Sequence, residues 1–329
     1  MLPARRGSET MATKIEWTEE TWNPMTGCSK VSPGCRGCYA EKMARRLKAM
    51  GQPNYTNGFE PTCHPHVLDK PLRWRKPRRV FVCSMSDLFH PKFTDEQIAA
   101  VFGVMAVAAQ HFYGAKVGGP QNGPHTFQVL TKRADRMARL VGSSAFRFKV
   151  GRAAYGWAHD RTDAGWLYQC ITGDREPGNH CTLDKMWPLP NVWLGVSVED
   201  QQRADERIPL LLQTPAAVRF VSCEPLLGPI SIRDYLVDCR SCDDEGRTAG
   251  AVIAGDCTCG RATLDWVIAG AESGPGARPA SDDWFRSLRD QCHGAGVGYF
   301  LKQMVVDGKL TKMPALDGRR WAQLPGQGG

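Results

Sequence analysis

Short apolar runs recur along this chain, each closing in a polar cluster and most followed by a stretch with helical spacing. Residues 15–24 are aromatic and β-branched and read as a first strand; 39–50 read as a helix stopped by Gly51-Gln-Pro53. Residues 79–84 predict a second strand ending in Met85-Ser-Asp-Leu-Phe-His90, then a helix over 95–110 capped by Thr94. The unit returns at 126–130 with Thr131-Lys-Arg133 and a helix over 134–140. It returns at 191–198 with Glu199-Asp200 and a helix over 201–212, and at 218–222 with Cys223-Glu-Pro-Leu226. The last two are 264–269, with Gly270-Ala-Glu-Ser-Gly274 and a helix over 281–293, and 297–301, with Lys302-Gln303.

Seven such units with near-continuous apolar strands predict an α/β fold built on a parallel sheet buried on both faces. Polar groups at successive strand ends put the site at the C-terminal edge of that sheet. The expected architecture is therefore a partial or full (β/α) TIM-like barrel. A doubly wound open sheet is the alternative, but no G-x-G-x-x-G follows any strand to support a dinucleotide fold. The expected organisation is a disordered extension over 1–13, one barrel-like domain over 14–305, and a C-terminal tail over 306–329. Two irregular inserts interrupt the domain, at 141–190 and 234–263.

The chain has 329 residues, 42% hydrophobic and 23% charged with ten tryptophans, as expected of a soluble protein with ample core. No apolar run approaches the roughly 20 residues needed to cross a bilayer. The first ten residues carry Arg5 and Arg6 without an apolar segment, unlike a signal peptide, and Met11 reads as an equally good start. A cytoplasmic location is expected. Thirteen cysteines in a reducing compartment point to metal ligands rather than disulfides. The formal charge of +8 is compatible with a nucleotide or nucleic-acid partner, and Arg73, Arg75, Lys76, Arg78 and Arg79 crowd around Trp74 as a phosphate-binding run or a solvated face.

The densest chemistry lies between Thr26 and Glu41, where Cys28, Cys35 and Cys38 stand as C-x6-C-x2-C on a Gly/Pro/Ser-rich loop. The turn at Ser32-Pro33-Gly34 can fold Cys28 back beside the other two, and the helix that starts at Cys38 favours negative charge at its N-terminus. A structural zinc site wants four closed ligands; three thiolates leave one position open. A zinc knuckle completed by Cys63 or His64, and unligated thiols, are the alternatives. In the second insert, Cys239, Cys242, Cys257 and Cys259 have the make-up of a zinc knuckle, with a second iron–sulfur cluster or free thiols as its alternatives.

Three cysteines on one loop before a helix resemble the radical S-adenosylmethionine (SAM) enzymes, which hold a [4Fe–4S] cluster by three cysteines and chelate SAM at the fourth iron. Their usual spacing is C-x3-C-x2-C with an aromatic residue before the last cysteine; here the first gap is six and Tyr39 follows Cys38. More widely, Thr21-Trp-Asn-Pro, Thr26-Gly-Cys, Val82-Cys-Ser-Met-Ser-Asp-Leu-Phe-His, Leu130-Thr-Lys-Arg, Ser222-Cys-Glu-Pro-Leu and Gly270-Ala-Glu-Ser-Gly-Pro-Gly-Ala-Arg-Pro closely resemble a phage-protein family of unknown function that is similar to divergent radical SAM barrels.

The resemblance implies a cluster on Cys28, Cys35 and Cys38, one-electron cleavage of SAM to a 5′-deoxyadenosyl radical, and a flavodoxin- or ferredoxin-like reductant. It implies that Ser84, Ser86 and Asp87 meet the amino and carboxylate groups of SAM, that Thr131, Lys132 and Arg133 hold the carboxylate, and that Ser197 and Glu199 meet the ribose. Gly270 would lie on the adenine-contact strand. Glu224, Glu272 and Lys302, with Arg278 and Gln303, would line the same rim and handle a substrate with hydrogen-bonding and anionic parts, a nucleotide or nucleic acid. The competing class is a non-catalytic, zinc-stabilised nucleic-acid-binding protein. A metal-dependent hydrolase would want clustered histidines, and the eight present form no H-x-H or H-E-x-x-H.

Overall fold

The computed structural model describes residues 13, 15–109, 124–158, 187–236 and 263–327. Seven strands lie side by side in chain order, all parallel: β1 (Glu20–Trp22), β4 (Arg79–Val82), β5 (Thr126–Thr131), β6 (Val192–Ser197), β7 (Val218–Cys223), β8 (Trp266–Gly270) and β9 (Gly298–Val306). An eighth, β10 (Lys309–Lys312), closes the order antiparallel to β9, and the short pair β2 (Met25–Thr26) and β3 (Thr62–Cys63) stands apart. The fold is α/β, as the strand–helix alternation predicts.

Side-chain parity divides the sheet into two faces. Val80, Val82, Phe127, Val129, Leu194, Val196, Val221, Val267 and Leu301 belong to one large cluster shared with the helices. The alternate positions Phe220, Trp266, Ile268 and Phe300 form a second cluster on the other face, centred on Trp17, with Phe81, Leu130 and Trp193 packed against it. The Trp17 ring lies 4.7 Å from Phe81 on β4 and 6.1 Å from Trp266 on β8. In a flat sheet those strands stand about 19 Å apart, four spacings of about 4.8 Å. The sheet is therefore curled around Trp17. Gly195 permits this: a Cβ there would meet the Phe220 ring at 2.5 Å.

The helices α2 (Asp95–Ala108), α3 (Ala134–Val141), α5 (Gln201–Gln213) and α6 (Asp282–Gly294) each contribute buried side chains to the large cluster. The expected Thr94 cap is present and extends into a capping box with Gln97. Helix α2 is apolar around most of its surface because α4 (Ser144–Ala158) packs on its outer side, where a Cβ on Gly103 would meet that of Ala153 at 2.8 Å. The insert expected to be irregular over 141–190 thus begins as a helix; covering α2 is what a local pattern does not reveal. The remaining helix, α1 (Tyr39–Ala49), joins neither apolar cluster and buries only Ala44.

The tail expected from 306 onward begins inside the sheet, as β10, and goes on to a separate two-stranded hairpin. Asp307 and Gly308, at φ of 50° and 73°, form the two-residue loop that turns β9 into β10. Asp317 and Gly318 repeat the device between β11 (Ala315–Leu316) and β12 (Arg319–Arg320). Lys312 on β10 pairs with Glu16, tying the last strand back to the segment before the first. The extension over 1–12, the second insert over 237–262, and Cys239, Cys242, Cys257 and Cys259 lie outside the described residues.

Candidate functional site

Strand parity assembles the site. Ser197, Ser222, Gly270 and Lys302 share the inward parity of Trp193, Phe220, Trp266 and Phe300, two or four residues nearer the C-terminal edge. Above the aromatic layer, Lys302 Nζ lies 3.1 Å from Glu224 Oε1, and the Ser222 hydroxyl donates to Glu224 Oε2 at 3.1 Å. Gly270 makes room for that carboxylate, since a Cβ would stand 2.3 Å from Oε1.

The cysteine loop lies against this same edge. It leaves β1 through Asn23, whose side-chain oxygen accepts from the Ser84 hydroxyl and the Met85 amide, and passes β4 where Gly27 bridges Ser86. Cys28 Sγ then meets Arg133 Nη1 at 3.5 Å beyond β5. The Gly34 amide donates to Glu199 Oε1 at 3.2 Å beyond β6, and Gly37 packs on Glu272 beyond β8. A Cβ at Gly34 would lie 3.0 Å from the Glu199 carboxyl carbon, and one at Gly37 2.8 Å from Glu272 Oε1. Two glycines flanking Cys35 thus seat the loop on two carboxylates.

Asp87 organises the first contact. Its Oδ1 accepts from the Thr131 hydroxyl at 2.7 Å and the Phe89 amide at 3.0 Å; its Oδ2 accepts from the Lys132 amide and Arg133 Nη1, both at 3.0 Å. Four donors therefore surround a carboxylate that sequence reasoning offered to SAM. Arg133 carries the connection on, donating from Nη2 to the carbonyl and hydroxyl of Ser29, each at 3.1 Å. The Ser29 hydroxyl also meets His90 Nε2 at 2.9 Å. Cys83, at φ 58°, turns the chain out of β4 toward this cluster.

The charges are set by these partners. Burial pushes the Cys28 thiol up and Asp87 adds to that, while Arg133 opposes both. Burial would raise Glu199, but Lys132, the Ser32 hydroxyl, Arg207 and the Gly34 amide together hold it below the ordinary carboxylate range. Arg207 Nη1 is 2.9 Å from Glu199 Oε2 and also donates to the Ser197 carbonyl. Glu272 accepts three hydrogen bonds from Arg278, which hold it down at about 2. Arg207, Gly34 and Gly37 escape sequence reasoning, because their partners lie 8, 165 and about 235 residues away and only the first is near in the chain.

Cys28, Cys35 and Cys38 are free, half-buried thiols at this edge, and Cys38 is the N-cap of α1, which no side chain caps. Among the described residues, no three His, Cys, Asp or Glu side chains converge as for a single metal ion. His64 is engaged by the Thr26 hydroxyl at 2.8 Å. The basic run at 73–79 lies elsewhere. It enters β4 at the N-terminal edge, with Arg73, Arg78 and Arg79 paired to Asp69, Glu20 and Glu19.

Among the described residues, no helix is long and apolar enough to cross a membrane. Comparison with family models matches residues 12–116 and 119–325 to DUF5131, described as a protein of unknown function. No curated protein and no solved structure matches the chain.

Proposed function

The chain belongs to the DUF5131 family, and from that premise we propose that it is a radical SAM-type iron–sulfur enzyme whose cluster is held by Cys28, Cys35 and Cys38 over the C-terminal edge of the curled sheet. The observation that carries this is the seating of one three-thiol loop on the ends of β5, β6 and β8.

The residues fit the group on their donor chemistry. The three cysteines share one loop, none is in a disulfide among the described residues, and their convergence on a single point is not required. A cubane presents its coordination positions on separate irons, unlike a lone zinc ion. Three thiolates bring negative charge, and Arg133 beside Cys28 and the uncapped first turn of α1 are placed to balance it. When bound, a cluster with SAM supplies one-electron cleavage of the sulfonium and hydrogen abstraction by the resulting 5′-deoxyadenosyl radical.

The chain's own groups do the positioning. Asp87, already filled by four donors, orients Arg133 and through it the Cys28–Ser29 segment. Glu199 and Glu272, each fixed by an arginine, brace Gly34 and Gly37. The Glu224–Lys302 pair is the polar couple on the inward face of the mouth, suited to a substrate's hydrogen-bonding groups.

The test is anaerobic purification with iron and sulfide analysis, followed by reduction in the presence of SAM. Wild type is expected to be brown and to form 5′-deoxyadenosine slowly, and Cys28→Ala, Cys35→Ala and Cys38→Ala each to lose the chromophore. A reducible cluster that neither binds nor cleaves SAM defeats the proposal. Zinc without iron favours a zinc-stabilised binding protein instead.

A further inference from the structure

Helix α1 is at odds with the rest of the helical layer. Its cations and apolar residues alternate as in a packed helix, yet among its eleven residues only Ala44 is buried, and none enters an apolar cluster. The segment 28–50 also concentrates the protein's charge. It holds six cations (Lys30, Arg36, Lys42, Arg45, Arg46 and Lys48) against one anion, Glu41, a net of +5. The other 306 residues hold 36 cations and 33 anions, a net of +3. Lys30 and Arg45 share Glu41, and Lys42 lies beside Gly274 in the loop after β8.

Apolar exposure coincides with the charge. Tyr39 is 60% exposed, Met50 59% and Val31 45%, three of the seven large hydrophobic residues most exposed among those described. Tyr39 immediately follows Cys38, so it opens the cationic helix beside the cysteine loop, with Tyr55 near its hydroxyl. A solvated face can also carry cations and a lone aromatic ring, but here both fall on one segment against the cysteine loop. A cationic track with an exposed ring at one end matches a chain of phosphates carrying unstacked bases.

We infer that α1 and the adjoining cysteine loop form the docking surface for a single-stranded nucleic acid, with Arg45, Arg46 and Lys48 on its backbone and Tyr39 stacking one base beside the mouth. Single strands are favoured over duplex because a base must leave its stack both to lie on Tyr39 and to present its atoms to the interior edge. The inference rests on the proposed function only for the purpose of that placement; the surface itself stands on charge and exposure.

The test is fluorescence anisotropy with a fluorescein-labelled single-stranded oligonucleotide, in DNA and RNA forms, titrated with the full-length protein across a salt series. Wild type is expected to bind, and the double variant Arg45→Glu/Arg46→Glu to bind at least about tenfold more weakly. The salt slope should also fall by about 1.4, two contacts at about 0.7 each. Tyr39→Ala is expected to lose about 5- to 150-fold, the range for one base stack. Arg75→Glu, at the opposite edge, should bind as wild type does. Circular dichroism should be unchanged for all of these exposed positions, and thermal melts should fall only slightly for the double variant, which loses the exposed Arg45–Glu41 pair.

Failure of wild type to bind, equal weakening by Arg75→Glu, tighter binding of the matched duplex, or binding to phosphatidylglycerol vesicles in place of oligonucleotides would each overturn the inference. Iron, sulfide and SAM cleavage are read on the same samples. Helix-dependent binding without a cluster removes the radical chemistry and keeps the surface; cleavage of SAM without binding does the reverse.

Discussion

At the scale of single residues, the site is a set of carboxylates already held by the protein. Asp87 is the most heavily engaged, and it is nearly buried with Arg133. Breaking a buried pair leaves the partner charge uncompensated, so Asp87→Ala is expected to cost about 3–5 kcal/mol. Urea unfolding of the variant checks this, and an unchanged midpoint would show that the four donors find other acceptors. Glu272 gives a pH signature. Its folded pKa of about 2 lies below the ordinary 4.5, so the stability drawn from Arg278 is complete above pH 4.5 and is lost as pH falls toward 2. The gap in melting temperature between wild type and Arg278→Ala should therefore be widest above pH 4.5 and shrink on acidification. A gap that is flat from pH 6 to pH 2.5 would mean that Glu272 is not the group involved.

At the scale of elements, each helix is explained by what covers it. Helix α2 buries ten of its fourteen residues because the sheet lies on one side and α4 on the other. Gly103 is the point of closest approach, and Gly103→Val should cost about 1–3 kcal/mol through overpacking against Ala153. Thermal unfolding reads this directly. A neutral result would show that α4 can retreat from α2 at no expense. Helix α1 is the counterexample, amphipathic in sequence yet carried on the loop rather than on the sheet.

At the scale of the whole molecule, the curl of the sheet depends on a residue outside every strand. Trp17 touches rings on β4, β7 and β8, and its carbonyl accepts from Gln128 on β5. Trp17→Ala should leave a cavity on the inner face and cost about 3–5 kcal/mol, read as a lower denaturation midpoint. Retained stability would mean that the strands hold their curvature without the plug. The site would then owe its shape to the strand pairing alone.

What the sequence by itself determined is the repeating unit. Near-continuous apolar runs, helical spacing, the Thr94 cap and polar clusters at strand ends are local patterns. Most of their elements stand within a few residues of expectation, although the first strand, expected over 15–24, is only Glu20–Trp22. The Asp307-Gly308 and Asp317-Gly318 hairpins are missed, because 306–329 reads as a tail although Asp-Gly is a local two-residue turn signal. Only the tertiary structure decided which strand ends meet. Cys28 finds Arg133 across 105 residues, and Gly34 finds Glu199 across 165. It also decided that α1 leaves the sheet and that the basic run at 73–79 lies at the opposite edge. Hydrophobic spacing encodes which face of an element is buried, but not the partner it is buried against. That depends on the order and curl of the strands, fixed here by contacts such as Trp17 with Trp266 that join positions 249 residues apart.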